Sequence, residues 1–457
     1  MTNIAALRQI VSEVYERLCE NGITLADLLK SKTNQPCMNT IFEKVLHQKI
    51  AYGAVLKLIL YNLPEFRRSI QSPIGMNTDE FTSTFKDLYH IHKLNVTINS
   101  SINHVLSLAY IKDLKNLIQE VTNNIQVNSD DLLGRLYEEL IPQEERRKLG
   151  EFYTPKPIAE FMTKWAIRTP EDTVLDPGVG SGIFLVESLS RLVGLGKEAR
   201  EALLQLYGID INPLAVLMST INLLIRAGGS EPKIFWADFL KINKLTAPMI
   251  GLDQVEFDVI LCNPPYTRHH ELEPLYKVKI KKMIEVELGE PISKLSSLYL
   301  YFFIHAISFT KPGGRIAFIT PSEWMENNYG NMLRRLLSRK LHVNTLILFD
   351  NKTPVFPKVV TRTCIILAEN IKCKEKTLLL KLRKWPSTDR LLEFLENPRK
   401  GYLKWGKAKF FDLTSVNPNT KWTHLFEDNK INYNNRYLTE LGNLAKITRG
   451  IATGANE

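Results

Sequence analysis

Phe257-Asp258-Val259-Ile260-Leu261-Cys262-Asn263-Pro264-Pro265-Tyr266 reads as a strand that stops abruptly. The apolar, β-branched run after Asp258 predicts a buried parallel strand, and two consecutive prolines forbid its continuation as helix or ladder. An amide and an aromatic ring are left at its end. Ligands of an open α/β sheet bind outside the carboxyl ends of the strands, so Asn263 and Tyr266 are expected to project into a binding crevice. From Thr173 onward, strand and helix patterns alternate as a doubly wound α/β sheet requires. The candidate strands are 173–176, 206–210, 233–237, 257–263, 315–320, 343–349 and 361–368.

The turns after the first three strands indicate what such a crevice holds. The first strand ends in Asp176-Pro177-Gly178-Val179-Gly180-Ser181-Gly182, followed by the apolar Ile183-Phe184-Leu185-Val186. Glycines there let the backbone approach a ligand closely and adopt positive φ. The spacing is not G-x-G-x-x-G, and Asp176 precedes the glycines where a pyrophosphate would be repelled. A cationic or zwitterionic ligand fits better. The second strand ends Gly208-Ile209-Asp210-Ile211-Asn212, with a carboxylate for two ribose hydroxyls. The third ends Ala237-Asp238-Phe239, with a carboxylate for an adenine amino group and a ring for its face. Each carboxylate taken singly is better explained as a strand-end turn or a helix cap than by function. Three at successive strand ends describe a nucleoside pocket with an extra positive centre. S-adenosylmethionine has that chemistry.

The remaining sequence sets the boundaries. At 457 residues with 44% hydrophobic content, the chain has room for two or three domains with proper cores. Residues 1–128 read as a helical domain: Ile4, Leu7, Val11, Val14 and Leu18 share one face, and a second amphipathic run covers 40–63. Asp113-Leu114-Lys115 is the one triplet there resembling the end of a nuclease site, and its helical setting favours chance. A helix carrying Leu133, Leu136, Tyr137 and Leu140 leads to Gly150-Glu151-Phe152-Tyr153-Thr154-Pro155. Thr154 is expected to cap the next helix and Pro155 to open it, with Ile158, Phe161, Met162 and Trp165 as its buried face. The insert at 267–293 carries Arg268, His269, His270 and the run from Lys277 to Lys282, suited either to phosphate contacts or to a solvated amphipathic helix. No metal is expected, because the two histidines lack ligand-spaced partners.

Five scattered cysteines argue against a disulfide framework, and no apolar run has the length of a membrane span. With no signal pattern at the N-terminus, a cytoplasmic protein is expected. Fifty-nine Lys and Arg against 49 Asp and Glu give a net charge of +10, which favours a polyanionic partner.

The ordered set GEFYTP (150–155), DPGVGSG (176–182), GIDIN (208–212), ADF (237–239), NPPY (263–266) and KPGGRIAFITPSEW (311–324) resembles the N6-adenine DNA methyltransferases of restriction-modification systems, notably the type II and IIG enzymes. The resemblance covers about 130–370. It implies a Rossmann-like, S-adenosylmethionine-dependent sheet of strand order 3-2-1-4-5-7-6 with the last strand antiparallel. It also implies double-stranded DNA as partner and a catalytic domain over 129–400. Tyr153, Thr154, Asp176, Gly178, Gly180, Gly182, Phe184, Asp210, Ile211, Asp238, Phe239 and Asn263 become the cofactor site. Asn263, Pro264, Pro265 and Tyr266 become the catalytic loop. Phe356 is, by the same resemblance, the second aromatic wall around a flipped base; core packing is its competing reading.

The chemistry is coherent. An adenine N6 amine is a poor nucleophile because its lone pair is delocalised. The Asn263 side-chain oxygen and the Pro264 carbonyl would accept its two hydrogens, Pro265 would stiffen the turn, and Tyr266 would stack on the base. Residues 401–457 read as a linker and the opening of a target-recognition domain, too short to read a DNA site. Either the chain is a fragment or a separate specificity chain reads the bases. Three rivals share parts of the pattern: a protein-glutamine methyltransferase of the release-factor type, an RNA adenine methyltransferase, and a catalytically silent DNA-binding subunit.

Overall fold

Alternate residues of the Phe257–Cys262 strand go to opposite faces of a sheet that is covered on both. Val259 and Leu261 join one apolar cluster and Ile260 and Cys262 the other, all fully buried. A strand buried on both faces must be apolar at every position, and this one is from Val259 on. The computed structural model describes residues 3–20, 48–49, 51–57, 59–60, 63, 83, 131–142, 144, 146, 153–228, 232–267, 272–350, 362–372, 375–427, 439 and 441–445.

Among the described residues ten strands form one sheet: β1 (Val174–Asp176), β2 (Leu206–Asp210), β3 (Lys233–Trp236), β4 (Phe257–Cys262), β5 (Thr310–Pro321), β6 (His342–Phe349), β7 (Thr363–Glu369), β8 (Thr377–Leu382), β9 (Gly401–Leu403) and β10 (Gly406–Phe411). Their order is β3-β2-β1-β4-β5-β7-β6-β8-β10-β9. The strands from β3 to β5 pair in parallel, and β7 runs antiparallel between β5 and β6. The order implied by the family resemblance is therefore present, and the extra strand read at 377–382 adds to it in parallel with β6. The sheet does not stop at residue 400: β10 and β9 extend it antiparallel, in a stretch assigned from sequence to the linker. β9 is the edge, with Gly401 and Tyr402 exposed, and in β10 the half-buried Lys407 and Lys409 alternate with the buried Gly406 and Ala408.

The described helices are α1 (Asn3–Glu20), α2 (Leu132–Leu140), α3 (Lys156–Ala166), α4 (Ile183–Gly194), α5 (Pro213–Ala227), α6 (Pro274–Leu288), α7 (Leu298–Ser308), α8 (Asn331–Arg339) and α9 (Thr388–Glu396), with shorter turns between. Buried residues of α3, α4, α5 and α9 pack on the Val259 face, and those of α6, α7 and α8 on the Ile260 face. The expected face of α1 is seen at Leu7, Val11 and Val14. Residues 51–57, read as part of an amphipathic run, are instead buried all round, and Tyr52 donates to the Leu133 carbonyl at 2.8 Å. A helix enclosed by neighbours shows no polar face.

Two polar anchors brace the sheet. Arg315 on β5 bonds the Asp172 carboxylate at 2.7 Å, both side chains nearly buried. Arg334 on α8 is also buried; its guanidinium donates to the carbonyls of Pro418 (2.6 Å), Asn327 (3.1 Å) and Trp324. It thereby ties residues 322–330 to the returning segment 413–427, whose Trp422 ring packs 5.8 Å from Trp324.

Candidate active site

The carboxyl ends of β1, β2, β3 and β4 open onto one cavity of about 450 Å³. Of the residues expected to form the cofactor site, Tyr153, Thr154, Asp176, Gly178, Gly180, Phe184, Asp210, Ile211, Asp238, Phe239 and Asn263 all line it. Gly182 stands behind the wall, as the left-handed residue on which α4 begins.

The turn between β1 and α4 is organised by carboxylates. The Gly178 amide donates to Asp176 Oδ1 at 3.1 Å, and the Gly180 amide to Asp210 Oδ2 at 2.9 Å. Asp210 Oδ1 accepts from the Asn212 amide at 2.8 Å. Asp176 is buried, and its second oxygen, Oδ2, has no hydrogen-bond partner among the described residues. Burial pushes its carboxyl well above the usual carboxylate range, against the Gly178 amide, and the neighbouring Asp210 charge adds to the rise. An acceptor of this kind calls for a positively charged donor from the cavity.

Asp238 caps the turn after β3 by accepting from the Leu240 amide at 3.2 Å, and it pairs with Lys241 at 3.2 Å. Phe239 touches the cavity and is also core: its ring lies 5.5 Å from Phe302 and 4.8 Å from His305.

On the catalytic loop, Asn263 Nδ2 donates to Thr154 Oγ1 at 3.0 Å. Thr154 was expected to cap α3. Instead Pro155 occupies the cap without a side-chain bond and Pro157 lies in the first turn, so the Thr154 hydroxyl is engaged by Asn263. The contact orients the carboxamide, with its nitrogen toward Thr154. Pro265 lines the cavity. Tyr266 is half-buried; its hydroxyl donates to the Ile319 carbonyl of β5 at 3.3 Å, and its ring meets Tyr299 edge-on at 6.4 Å. Tyr299 is backed by a hydroxyl chain through Tyr329 (3.4 Å) to Glu323 (3.1 Å). Phe356, like Arg268, His269, His270 and the 113–115 triplet, lies outside the described residues.

Sequence reasoning missed the buried Asp131. It caps α2 through the Gly134 amide at 2.9 Å, accepts from Asn222 Nδ2 of α5 at 3.0 Å, and accepts from the Ser181 hydroxyl of the glycine turn. Burial raises its carboxyl in spite of these donors. An Asp before an apolar helix is a legible cap signal; its reach to residues 181 and 222 is not. Tyr276 of the insert helix α6 and Phe302 of α7 were missed as cavity residues too.

Comparison with known proteins fits this geometry. The family profile described as N-6 DNA Methylase matches residues 128–439, more than half of the sequence. The chain belongs to that family. This N-6 DNA methylase chain is 28% identical over 341 residues to the type II methyltransferase M.AccI of Acinetobacter calcoaceticus, covering 74% of the chain and 57% of M.AccI. It is 32% identical over 219 residues to the type II methyltransferase M.XamI of Xanthomonas campestris pv. amaranthicola, covering 48% of the chain and 38% of M.XamI. It therefore spans between about two fifths and three fifths of these relatives. Among solved structures, its fold is similar to the type I restriction-modification methyltransferase subunit of Streptococcus thermophilus. The TM-score is 0.55 at 16% identity, over 92% of the chain and 99% of that subunit. It is also similar to the type IIG restriction endonuclease BpuSI, with TM-score 0.58 at 13% identity, over 93% of the chain and 47% of BpuSI. Among the described residues, no helix of this chain is long and apolar enough to cross a membrane.

Proposed function

We propose that this chain transfers a methyl group from S-adenosylmethionine to the N6 amine of an adenine extruded from double-stranded DNA, as the modification activity of a restriction-modification system. The observation that carries the reading is that Asn263, at the end of β4, shares one cavity with Asp176, Asp210 and Asp238. The residues present fit the cofactor. Asp176 Oδ2 is a buried acceptor without a donor among the described residues, which an α-ammonium group would satisfy. Asp210 lines the cavity beside it and suits ribose hydroxyls, while Asp238, Phe239 and Ile211 offer polar and apolar contacts to a purine. When bound, S-adenosylmethionine supplies a methyl group on a positively charged sulfur.

The chain's own part is to hold and polarise the target amine. Thr154 fixes one end of the Asn263 carboxamide, so the side-chain oxygen is preorganised to accept one amine hydrogen while the Pro264 carbonyl accepts the other. Both acceptors favour a tetrahedral nitrogen, whose lone pair would form the N–C bond as the S–CH3 bond breaks and its electron pair returns to sulfur, which leaves as a neutral thioether. One amine proton leaves to water afterwards, and no side chain need act as a strong base. Positioning of this kind contributes up to roughly 7–11 kcal/mol to a barrier. Tyr266 is anchored by its hydroxyl on the Ile319 carbonyl, and stacking of its ring on the base would give about 1–3 kcal/mol. That offsets the few kcal/mol spent on extrusion.

The test is methyl transfer from labelled S-adenosylmethionine to DNA, RNA or release factor, with the product identified by mass spectrometry. N6-methyladenine in duplex DNA is expected. Asn263→Ala should keep cofactor binding and lose transfer. Methylation of protein or RNA but not DNA, or near-normal turnover by Asn263→Ala, would overturn the reading. A separate specificity chain, if base reading requires one, would be recognised by its restoring transfer when added.

A further inference from the structure

The insert between the catalytic loop and α7 is not only a surface helix. Helix α6 starts at Pro274 and is capped by Glu273, whose carboxylate accepts from the amides of Leu275 (2.9 Å) and Tyr276 (2.6 Å). Tyr276 lies one and two turns before Ile280 and Ile284, the buried residues of this helix, and so shares their inward face. That places its side chain against the end of β3. The Tyr276 hydroxyl donates to Asp238 Oδ1 at 3.2 Å, the Lys241 ammonium sits 5.1 Å from its ring centre, and Tyr276 lines the cavity. Burial first, then the Asp238 charge, pushes its hydroxyl well above the usual range, so it keeps its proton and remains the donor in that pair.

A carboxylate has about four acceptor positions and a phenol one donor and two acceptor positions. On Asp238, the Leu240 amide and the Tyr276 hydroxyl both bond Oδ1, while the buried Oδ2, paired at 3.2 Å with the Lys241 ammonium, has no hydrogen-bond partner among the described residues. The Tyr276 oxygen, while donating its hydrogen bond to Asp238, still has acceptor capacity. A purine 6-amino group has two hydrogens to place. We propose that Tyr276 determines cofactor specificity: its hydroxyl oxygen, held on Asp238, accepts one hydrogen of the purine 6-amino group while Asp238 accepts the other. A 6-oxo purine brings an acceptor against the same two oxygens and is rejected. This rests on the cofactor reading above and adds to it a residue from outside the strand-end motifs.

Isothermal titration of the full chain with S-adenosylhomocysteine and S-inosylhomocysteine tests it. The wild-type protein should prefer the adenosyl compound, and Tyr276→Phe, which keeps the ring and its packing, should shrink that preference about tenfold, as expected for one hydrogen bond. An unchanged preference, with both compounds weakened alike, would reduce Tyr276 to packing and overturn the proposal. Equal binding of both compounds by the wild type would overturn it too while leaving the cofactor reading intact, whereas binding of neither would overturn both. If the variant does not fold, hydrogen exchange on the wild type decides. Helix 274–288 should gain protection with S-adenosylhomocysteine and less with saturating S-inosylhomocysteine; equal protection refutes the inference.

Discussion

Gly182→Ala and Gly180→Ala should separate the two demands that the turn after β1 makes on its backbone. Both glycines are left-handed, with φ of +90 and +53. An L-residue in that region costs about 1–2 kcal/mol, offset by about 0.4–1 kcal/mol because alanine narrows the unfolded ensemble. Their surroundings differ. A Cβ at 182 would lie 2.9 Å from Ser219 Cβ and 3.0 Å from Ser219 Cα on α5, where no flexible side-chain end can swing away. Such overpacking adds about 1–3 kcal/mol. A Cβ at 180 would meet nothing within 4 Å and would stand on the cavity wall. Gly182→Ala should therefore lower unfolding stability by about 2–4 kcal/mol, read as a lower urea midpoint at unchanged slope. Gly180→Ala should cost about 1 kcal/mol or less yet weaken S-adenosylhomocysteine binding about tenfold, the cost of a methyl pressed into a fitted site. Equal destabilisation by the two variants, or wild-type cofactor affinity in Gly180→Ala, would refute the reasoning.

Asp176 sets a pH dependence for cofactor binding. Its carboxyl is raised in the free protein by burial and by Asp210, and an ammonium donor on Oδ2 favours the charged form. Binding should therefore release a proton at pH values between the lowered bound value and the raised free value. Affinity should rise by up to about tenfold per pH unit through that window and level off above it. Titration calorimetry in two buffers of different ionisation heat would reveal the proton, and none at any pH would refute the assignment. Asp131→Ala removes the cap of α2 and the acceptor of Ser181 and Asn222. It should cost about 2–4 kcal/mol, with hydrogen exchange rising in α2 and in the glycine turn together; exchange confined to α2 would contradict the coupling. Arg334→Met strips donors from the carbonyls of Pro418, Trp324 and Asn327. It should lower the urea midpoint by at least about 3 kcal/mol of stability and hasten proteolysis within 413–427, and an unchanged cleavage pattern would deny its tying role.

Most of the sheet was legible because both its faces are buried. β2 was read with its observed ends, and β4 differs only in the assignment of Asn263 to the strand. β5 was read too short: its first residues, Thr310 to Gly314, carry Lys-Pro-Gly-Gly, a turn signature, yet Thr310 pairs with Phe257 across a register shift. β9, the edge strand, and β10 beside it escaped because they carry few buried apolar residues: Gly401 and Tyr402 are exposed, and Lys407 and Lys409 make the stretch look like a linker. Thr154 misled for a different reason. Its hydroxyl had two possible uses, and local sequence favours the helix cap, whereas a residue 109 positions away supplies the partner.

That last case generalises to the site. Asp176, Asp210, Asp238 and Asn263 were readable because each ends a strand, and in a parallel sheet the strand ends converge whatever the intervening chain does. Asp131 and Tyr276 end no strand. Asp131 reaches its partners from a helix that precedes the sheet, and Tyr276 from an insert after the catalytic loop; both contacts depend on how a peripheral helix packs. The motif residues thus describe chemistry available to many sheets of this kind, while Asp131 and Tyr276 tie two peripheral helices to the two ends of the same cavity. Filling the adenine end should then be sensed in α6, which begins eight residues after Tyr266 in the chain.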